Sequence, residues 1–181
     1  MNKGDLLIAE PSIFGDLNFH RSVVVLVDYK NKGYLGFIIN KALPYFLKEI
    51  VSEIKVDLPL FSGGPVEKDS LFFIHNVGHL IPESEKISDK LFWGGSLEKA
   101  IALVNSKIIS EKEIRFFLGH SGWSEYQLEQ EIETESWVVI KNKYASKILE
   151  VNPNSLWKNQ MVALGGKRLV WANSPENPHY N

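Results

Sequence analysis

The run Ser22-Val23-Val24-Val25-Leu26-Val27 constrains the fold more than any other part of the chain. Valine is stiff at its first side-chain torsion and packs well on a pleated surface, so the run favours a strand. It is also unbroken: no alternate position is polar, and neither face can be given to water. The run predicts a strand covered on both sides. Asp28 to Gly33 is a polar turn rich in Lys, Asn and Gly, and Tyr34 to Asn40 resumes as a strand, so the pair reads as a hairpin at the centre of a sheet.

Other segments supply the remaining layers. Leu6 to Ala9, Leu58 to Phe61, Leu71 to His75, Leu91 to Trp93, Ile114 to Leu118, Trp137 to Ile140 and Leu169 to Ala172 read as strands. After Pro44, the spacing of Phe46, Leu47, Ile50, Val51 and Ile54 predicts a helix. Further helices are expected after the N-cap Ser96, after Ser124, over Tyr144 to Val151, and over Leu156 to Leu164, closed by Gly165. Strands and helices alternate irregularly and several strands are hairpin-linked, which favours a mixed α+β domain over a doubly wound parallel fold. No linker or low-complexity tract divides the chain. Its 181 residues suit one domain over 1–181, burying roughly 70% of the surface of the unfolded chain.

Composition narrows the function classes. Lys plus Arg number 20 against 22 Asp plus Glu, a net charge of −2 that gives no bulk attraction to nucleic acid or anionic membrane. The absence of cysteine excludes disulfides, thiolate catalysis and cysteine-based zinc sites. The apolar stretch after Met1-Asn2-Lys3-Gly4-Asp5 is too short for a signal-peptide core, and no run reaches the roughly 20 apolar residues of a membrane span. A soluble cytoplasmic protein is expected.

The segment from Gly119 to Glu129 predicts a strand turning abruptly into a helix, a place where free backbone N–H groups can bind an anion. Gly119-His120-Ser121-Gly122-Trp123 approaches the G-x-S-x-G nucleophile elbow, but Trp123 replaces the last glycine. The only histidine after Ser121 is His179, in a polar tail, which argues against serine hydrolysis. A structural account fits better: Ser124 as N-cap, Gln127 three residues on as a capping box, Glu125 in the first turn, and Trp123 packed on the sheet. No dinucleotide or P-loop pattern occurs, and Gly165-Gly166-Lys167-Arg168 reads as a helix C-cap. His75 and His79 lack the helical spacing of a metal pair, so no metal or cofactor is assigned.

Two further features bear on binding. Leu60-Phe61-Ser62-Gly63-Gly64-Pro65-Val66-Glu67-Lys68 echoes Leu91-Phe92-Trp93-Gly94-Gly95-Ser96-Leu97-Glu98-Lys99; different elements follow the two, which favours a shared need for tight turns over a duplicated site. Arg21, with Asp16 as nearest acidic neighbour, is either part of a structural ion pair or an anion-binding group beside Asn40 and Lys41. The three arginines, Arg21, Arg115 and Arg168, and the acidic helix carrying Glu125, Glu129, Glu131, Glu133 and Glu135 speak against reading of DNA bases.

The combination of segments resembles the YqgE/AlgH family of bacterial proteins. The resemblance rests on Gly4 to Pro11 with Asp16 and Phe19-His20-Arg21-Ser22-Val23, on Gly33 to Lys41, and on Gly63-Gly64-Pro65-Val66 through His75. It continues with Ser121-Gly122-Trp123-Ser124, Gln127-Leu128-Glu129, Trp137, Leu156-Trp157 and Ala172-Asn173-Ser174-Pro175-Glu176, and so spans nearly the whole chain. Members commonly carry Pro-Gly where this chain has Glu125-Tyr126, and Pro where it has Ala42. The resemblance implies an α+β structure with a largely antiparallel forked sheet folded into a pseudo-barrel with flanking helices. Members are often labelled transcriptional regulators, by association with control of an exopolysaccharide pathway; the family carries no established catalytic residues.

These observations point to a non-catalytic binding or regulatory module whose partner is a protein or small molecule rather than DNA. Its candidate ligand-contacting residues are Arg21, Asn40, Gly63, Gly64, Ser121, Gly122 and Ser124. Two alternatives stay open. One is a DNA-binding regulator with a groove gathering Lys30, Lys32 and Lys41, or Lys141, Lys143 and Lys147. The other is an enzyme with a pocket at the Gly63-Gly64 and Ser121 to Ser124 turns, using Arg21 or His120. The sequence leaves the oligomeric state undecided.

Overall fold

Both faces of the central hairpin are covered, as the valine run requires. The computed structural model describes residues 1–11, 13, 16–30 and 33–174. Strand β1 (Leu6–Ala9) pairs antiparallel with β2 (Val23–Lys30), which pairs with β3 (Gly33–Ile38). Val23, Val25 and Val27 enter one core cluster with Leu6, Ile8 and Phe37, while Val24 and Leu26 enter another with Leu7, Ala9 and Ile38. Alternate residues of Leu6–Ala9 and of 23–27 therefore face opposite layers, and each of these is almost wholly buried.

Among the described residues the sheet has ten strands. Beyond β3 come β4 (Ala42–Phe46), β5 (Pro59–Ser62), β6 (Val66–His75), β7 (Glu85–Ser88), β8 (Leu91–Trp93), β9 (Ile114–Trp123) and β10 (Trp137–Ile140). The hydrogen-bonded order runs β10-β1-β2-β3-β9-β6-β8-β7, with β4 and β5 branching off beside β9. The fork lies on β9: Gly122 and Ser121 pair with Leu35 and Gly36 of β3, whereas Phe116 to Leu118 pair with β5. The β5–β9 ladder is parallel and the other pairings are antiparallel. The sheet curls so that Ser88 of β7 comes against Gly4 ahead of β1, but these ends do not pair and the sheet does not close.

Among the described residues four α-helices flank it. Helix α1 (Leu97–Asn105) starts at Ser96, whose side chain accepts from Lys99 N as expected of an N-cap. It covers a cluster with Leu60, Phe73 and Phe116. Helix α2 (Gln127–Glu133) buries Leu128 against Trp123 and Trp137. Helix α3 (Pro153–Leu164) lays Leu156, Trp157 and Met161 on the inside of the curl, and α4 (Arg168–Asn173) follows it.

Several elements differ from the sequence expectation. The helix expected over Phe46 to Ile54 is replaced by β4 and a single 3-10 turn at Leu47–Glu49. Pairing of Ala42 and Phe46 with Phe61 and Pro59 claims that segment for the sheet; Leu47 and Ile54 still anchor in the core, while Phe46 and Ile50 remain exposed. The expected last strand at Leu169 to Ala172 is helix α4, docked by Arg168 on the buried carboxylate of Glu10 at 2.5 Å. The short helix expected over Tyr144 to Val151 is a 3-10 turn at Ala145–Leu149. Strand β7, in which Ile87 alone is apolar, carries too little apolar sequence to announce itself, and Pro44 argues against a strand at β4. The tail from Pro175 onward, and Lys32, lie outside the described residues.

Candidate functional site

The strand expected to end at Leu118 continues to Trp123, so no helix begins at the Ser121 turn. Ser121 is fully buried within β9 and its hydroxyl donates to Gly63 O at 3.0 Å. Gly63 and Gly64 press against the same stretch. A Cβ on Gly63 would lie 2.2 Å from Gly119 O, and one on Gly64 would lie 2.4 Å from the His120 carbonyl. The fold thus brings Gly63, Gly64 and Ser121 together in close backbone packing. The echoing pair Gly94-Gly95 behaves differently, since Gly94 has open space where a Cβ would stand.

Ser124 is not the N-cap. The Gln127 side chain reaches back to Ser124 N at 3.0 Å, but helix α2 starts after Tyr126, which takes the left-handed conformation at φ 63°. A glycine would take this left-handed conformation without the steric cost that tyrosine carries. Glu125 precedes the helix, so the dipole argument made for it fails; Glu129 occupies the first turn. Glu131 does structural work, its Oε2 accepting from both Trp123 Nε1 (2.9 Å) and Trp137 Nε1 (2.8 Å). Gly122 lines a separate cleft of about 460 Å³ with His120, Trp93 and Tyr34. The His120 ring stands edge-on to Phe72, and its Nδ1 is buried with no hydrogen-bond partner among the described residues.

Arg21 and Asn40 meet elsewhere, in a groove of about 880 Å³ between the end of β3 and the first turn of α3. Asn40 organises its wall: Oδ1 accepts from Val23 N (2.7 Å) and Nδ2 donates to Arg21 O (2.9 Å). These bonds hold Arg21 in a left-handed backbone, φ 53°. The Arg21 guanidinium lies over the Trp157 ring at 4.9 Å from its centroid, and Nη2 donates to Ser174 O at 2.8 Å. Asp16 is not its partner; it accepts from Asn18 and acts on Lys41. Lys41 Nζ donates to Leu17 O (3.1 Å) and Asn18 O (2.8 Å); burial lowers its pKa and Asp16 opposes that shift.

The opposite wall is Pro153, Asn154, Trp157 and an exposed Lys158. Asn152 caps α3 by accepting from Asn154 N at 3.0 Å, with Pro153 at the first helical position. Arg21, Lys41 and Lys158 thus converge with His20, and among the described residues no acidic side chain lines the groove. Lys158 and Trp157 were not nominated from the sequence. The Asn-Pro pair at 152–153 is the signal that places their helix, but nothing local says that it packs beside Arg21. Two lysines beyond the groove have partners of their own: Lys141 pairs with Asp5, and Lys143 stands over Tyr144. Among the described residues, no helix is long and apolar enough to cross a membrane.

The AlgH-like family model matches residues 6–169. The chain is similar to a UPF0301 protein of Cytophaga hutchinsonii, 37% identical over 183 residues that cover all of both chains. It is similar to a second, of Bacteroides thetaiotaomicron, 37% identical over 99% of this chain and 91% of that relative. The solution structure of the AlgH protein from Pseudomonas aeruginosa superposes with a TM-score of 0.72 at 24% identity, covering 96% of this chain and 94% of that one. A crystal structure from Corynebacterium diphtheriae gives the same TM-score at 19% identity, over 96% and 93% of the two chains.

Proposed function

The chain belongs to the AlgH-like family, and from that premise we propose a single-domain, non-catalytic binding module that takes an anionic ligand beside Arg21. The ligand is a small molecule or an acidic protein segment, and the module is regulatory and cytoplasmic. One observation carries this reading: Arg21, Lys41 and Lys158 converge on one groove, and no carboxylate lines it among the described residues. Cations gathered on a concave, partly dehydrated surface attract an anion more strongly than the same charges scattered over the protein. Asn40 holds the Arg21 backbone in place, so part of the binding geometry exists before the ligand arrives. Gly63, Gly64 and Ser121 support the sheet behind this wall, while Gly122 and Ser124 lie outside the groove.

Neither alternative gains a comparable observation. Direct DNA binding needs an extended basic surface, and of the lysines proposed for one, Lys141 is paired with Asp5 and Lys143 lies over the Tyr144 ring. Catalysis at Ser121 needs an accessible hydroxyl, and this one is buried in a bond to Gly63.

The test is calorimetric titration with inorganic pyrophosphate as the probe anion. The wild type should bind, and Lys158→Glu, an exposed charge reversal that leaves the fold intact, should weaken binding about 10-fold. Equal affinity in both proteins would contradict the assignment. Mixed-sequence duplex DNA, followed by fluorescence anisotropy, should show no binding at physiological salt.

A further inference from the structure

Arg115 is a charge for which the groove has no use. It stands on β9 only 6% exposed, with Nη1 donating to Ile39 O and Nη2 to Leu149 O, each at 2.7 Å. Its guanidinium lies 4.5 Å from the Phe61 ring centroid. Among the described residues no carboxylate forms an ion pair with it; Glu111 acts on it only at longer range, and burial lowers its pKa to about 10.

Two carbonyl bonds make Arg115 a staple between β3 and the 3-10 turn at Ala145–Leu149. A staple needs no charge, however, and a neutral donor would avoid the cost of burying one without a counter-ion. A guanidinium also carries N–H donors beyond the two engaged here. Arg115 lines a cavity of about 230 Å³ whose apolar walls include Leu58, Phe61, Phe116 and Val151. Glu111, Lys112 and Glu150 also line it. The two acids offset Arg115 and Lys112 overall, so attraction is confined to direct contact with the Arg115 guanidinium, and a second negative charge gains nothing from the rest of the lining.

We propose that this cavity binds a small monocarboxylate with a short aliphatic tail, its carboxylate on Arg115 and its tail along Phe61, Phe116 and Val151. The site is distinct from the anion groove, with which it shares only Pro153. Bidentate pairing of a carboxylate with a guanidinium in an apolar setting is a strong, oriented contact. The cavity volume fits a molecule smaller than most drug-sized ligands.

The test titrates sodium hexanoate into the isotopically labelled protein and follows backbone amide shifts, with 1-hexanol as the uncharged control. Shifts should centre on Phe61, Arg115 and Val151, and hexanol should bind at least about 10-fold more weakly. Arg115→Met should lose hexanoate but removes the staple as well. Val151→Phe is therefore the second variant: it fills the cavity, leaves both carbonyl bonds in place, and should abolish the shifts in a protein whose spectrum stays folded. Glu111→Gln should tighten hexanoate about 3-fold by removing a like charge. Equal affinity for hexanol and hexanoate, shifts that persist in Val151→Phe, or no shifts at all would overturn the proposal. Lys158→Glu should leave hexanoate binding unchanged, so failure here is distinguishable from failure of the groove assignment.

Discussion

Glycines that look alike in the sequence have opposite tolerances in the fold. Gly63 faces the Gly119 carbonyl so closely that a methyl group would lie 2.2 Å from it. Gly63→Ala should therefore destabilise by more than about 3 kcal/mol in denaturant unfolding, because the clash is with backbone that cannot move aside. At Gly122 the same methyl would meet His120 and Val66 at 3.5 Å or more, an ordinary contact, and Gly122→Ala should change stability by less than about 1 kcal/mol. His75 makes a second residue-scale prediction. Its Nε2 meets Gly94 O (3.2 Å) and Ser84 Oγ (3.1 Å), while the Ser84 hydroxyl donates to Ile81 O (2.6 Å). Nε2 is thus the protonated nitrogen, and Nδ1 is buried without a hydrogen-bond partner among the described residues. A second proton would have nowhere to bond, and burial pushes the pKa down to about 4. The unfolded chain takes up that proton near pH 6.5, so His75 should cost stability as pH falls from about 6.5 to about 4 and add no further loss below that. The loss should be on the order of 3 kcal/mol. His75→Phe should remove this component from the pH profile of Tm; parallel profiles would exclude it.

Among the elements, the start of α2 is under visible strain. Tyr126 holds φ 63° with its ring exposed, so little packing offsets the cost of the left-handed backbone. Tyr126→Gly should stabilise the protein by about 1 kcal/mol, read as a raised Tm; a lowered Tm would show that the exposed ring contributes more than the backbone costs. This element also shows how much of the fold was legible. The β2–β3 hairpin was readable because five consecutive apolar residues leave no face for solvent, and α1 and α3 because their ends carry caps. The segment from Phe46 to Ile54 was not, because its helical spacing also suits a strand edge followed by one turn, and only the pairing partner on β5 decides. Leu169 to Ala172 misled in the same way: docking of Arg168 on Glu10, 158 residues away in sequence, selects the helix.

For the whole molecule, the curl of the sheet makes the groove. It carries the end of β3 toward the first turn of α3, placing Arg21, Asn40 and Lys41 opposite Trp157 and Lys158. Half of that site was legible, because Arg21, Asn40 and Lys41 flank one hairpin. The other half was not, because α3 follows more than a hundred residues later and its placement depends on burial of Leu156, Trp157 and Met161 inside the curl. At Gly63, Gly64 and Ser121 the backbones approach closely and the Ser121 hydroxyl is spent on Gly63 O, a packing that depends on contacts between segments far apart in sequence. The central claim is that anions enter the Arg21 groove. The most direct measurement maps amide shifts of the labelled protein as inorganic pyrophosphate is added at physiological ionic strength. Saturable shifts confined to residues 20–21, 40–42 and 153–158 are the predicted result. Saturable shifts centred instead on His120 and Gly122, or the absence of any saturable shift, would contradict it.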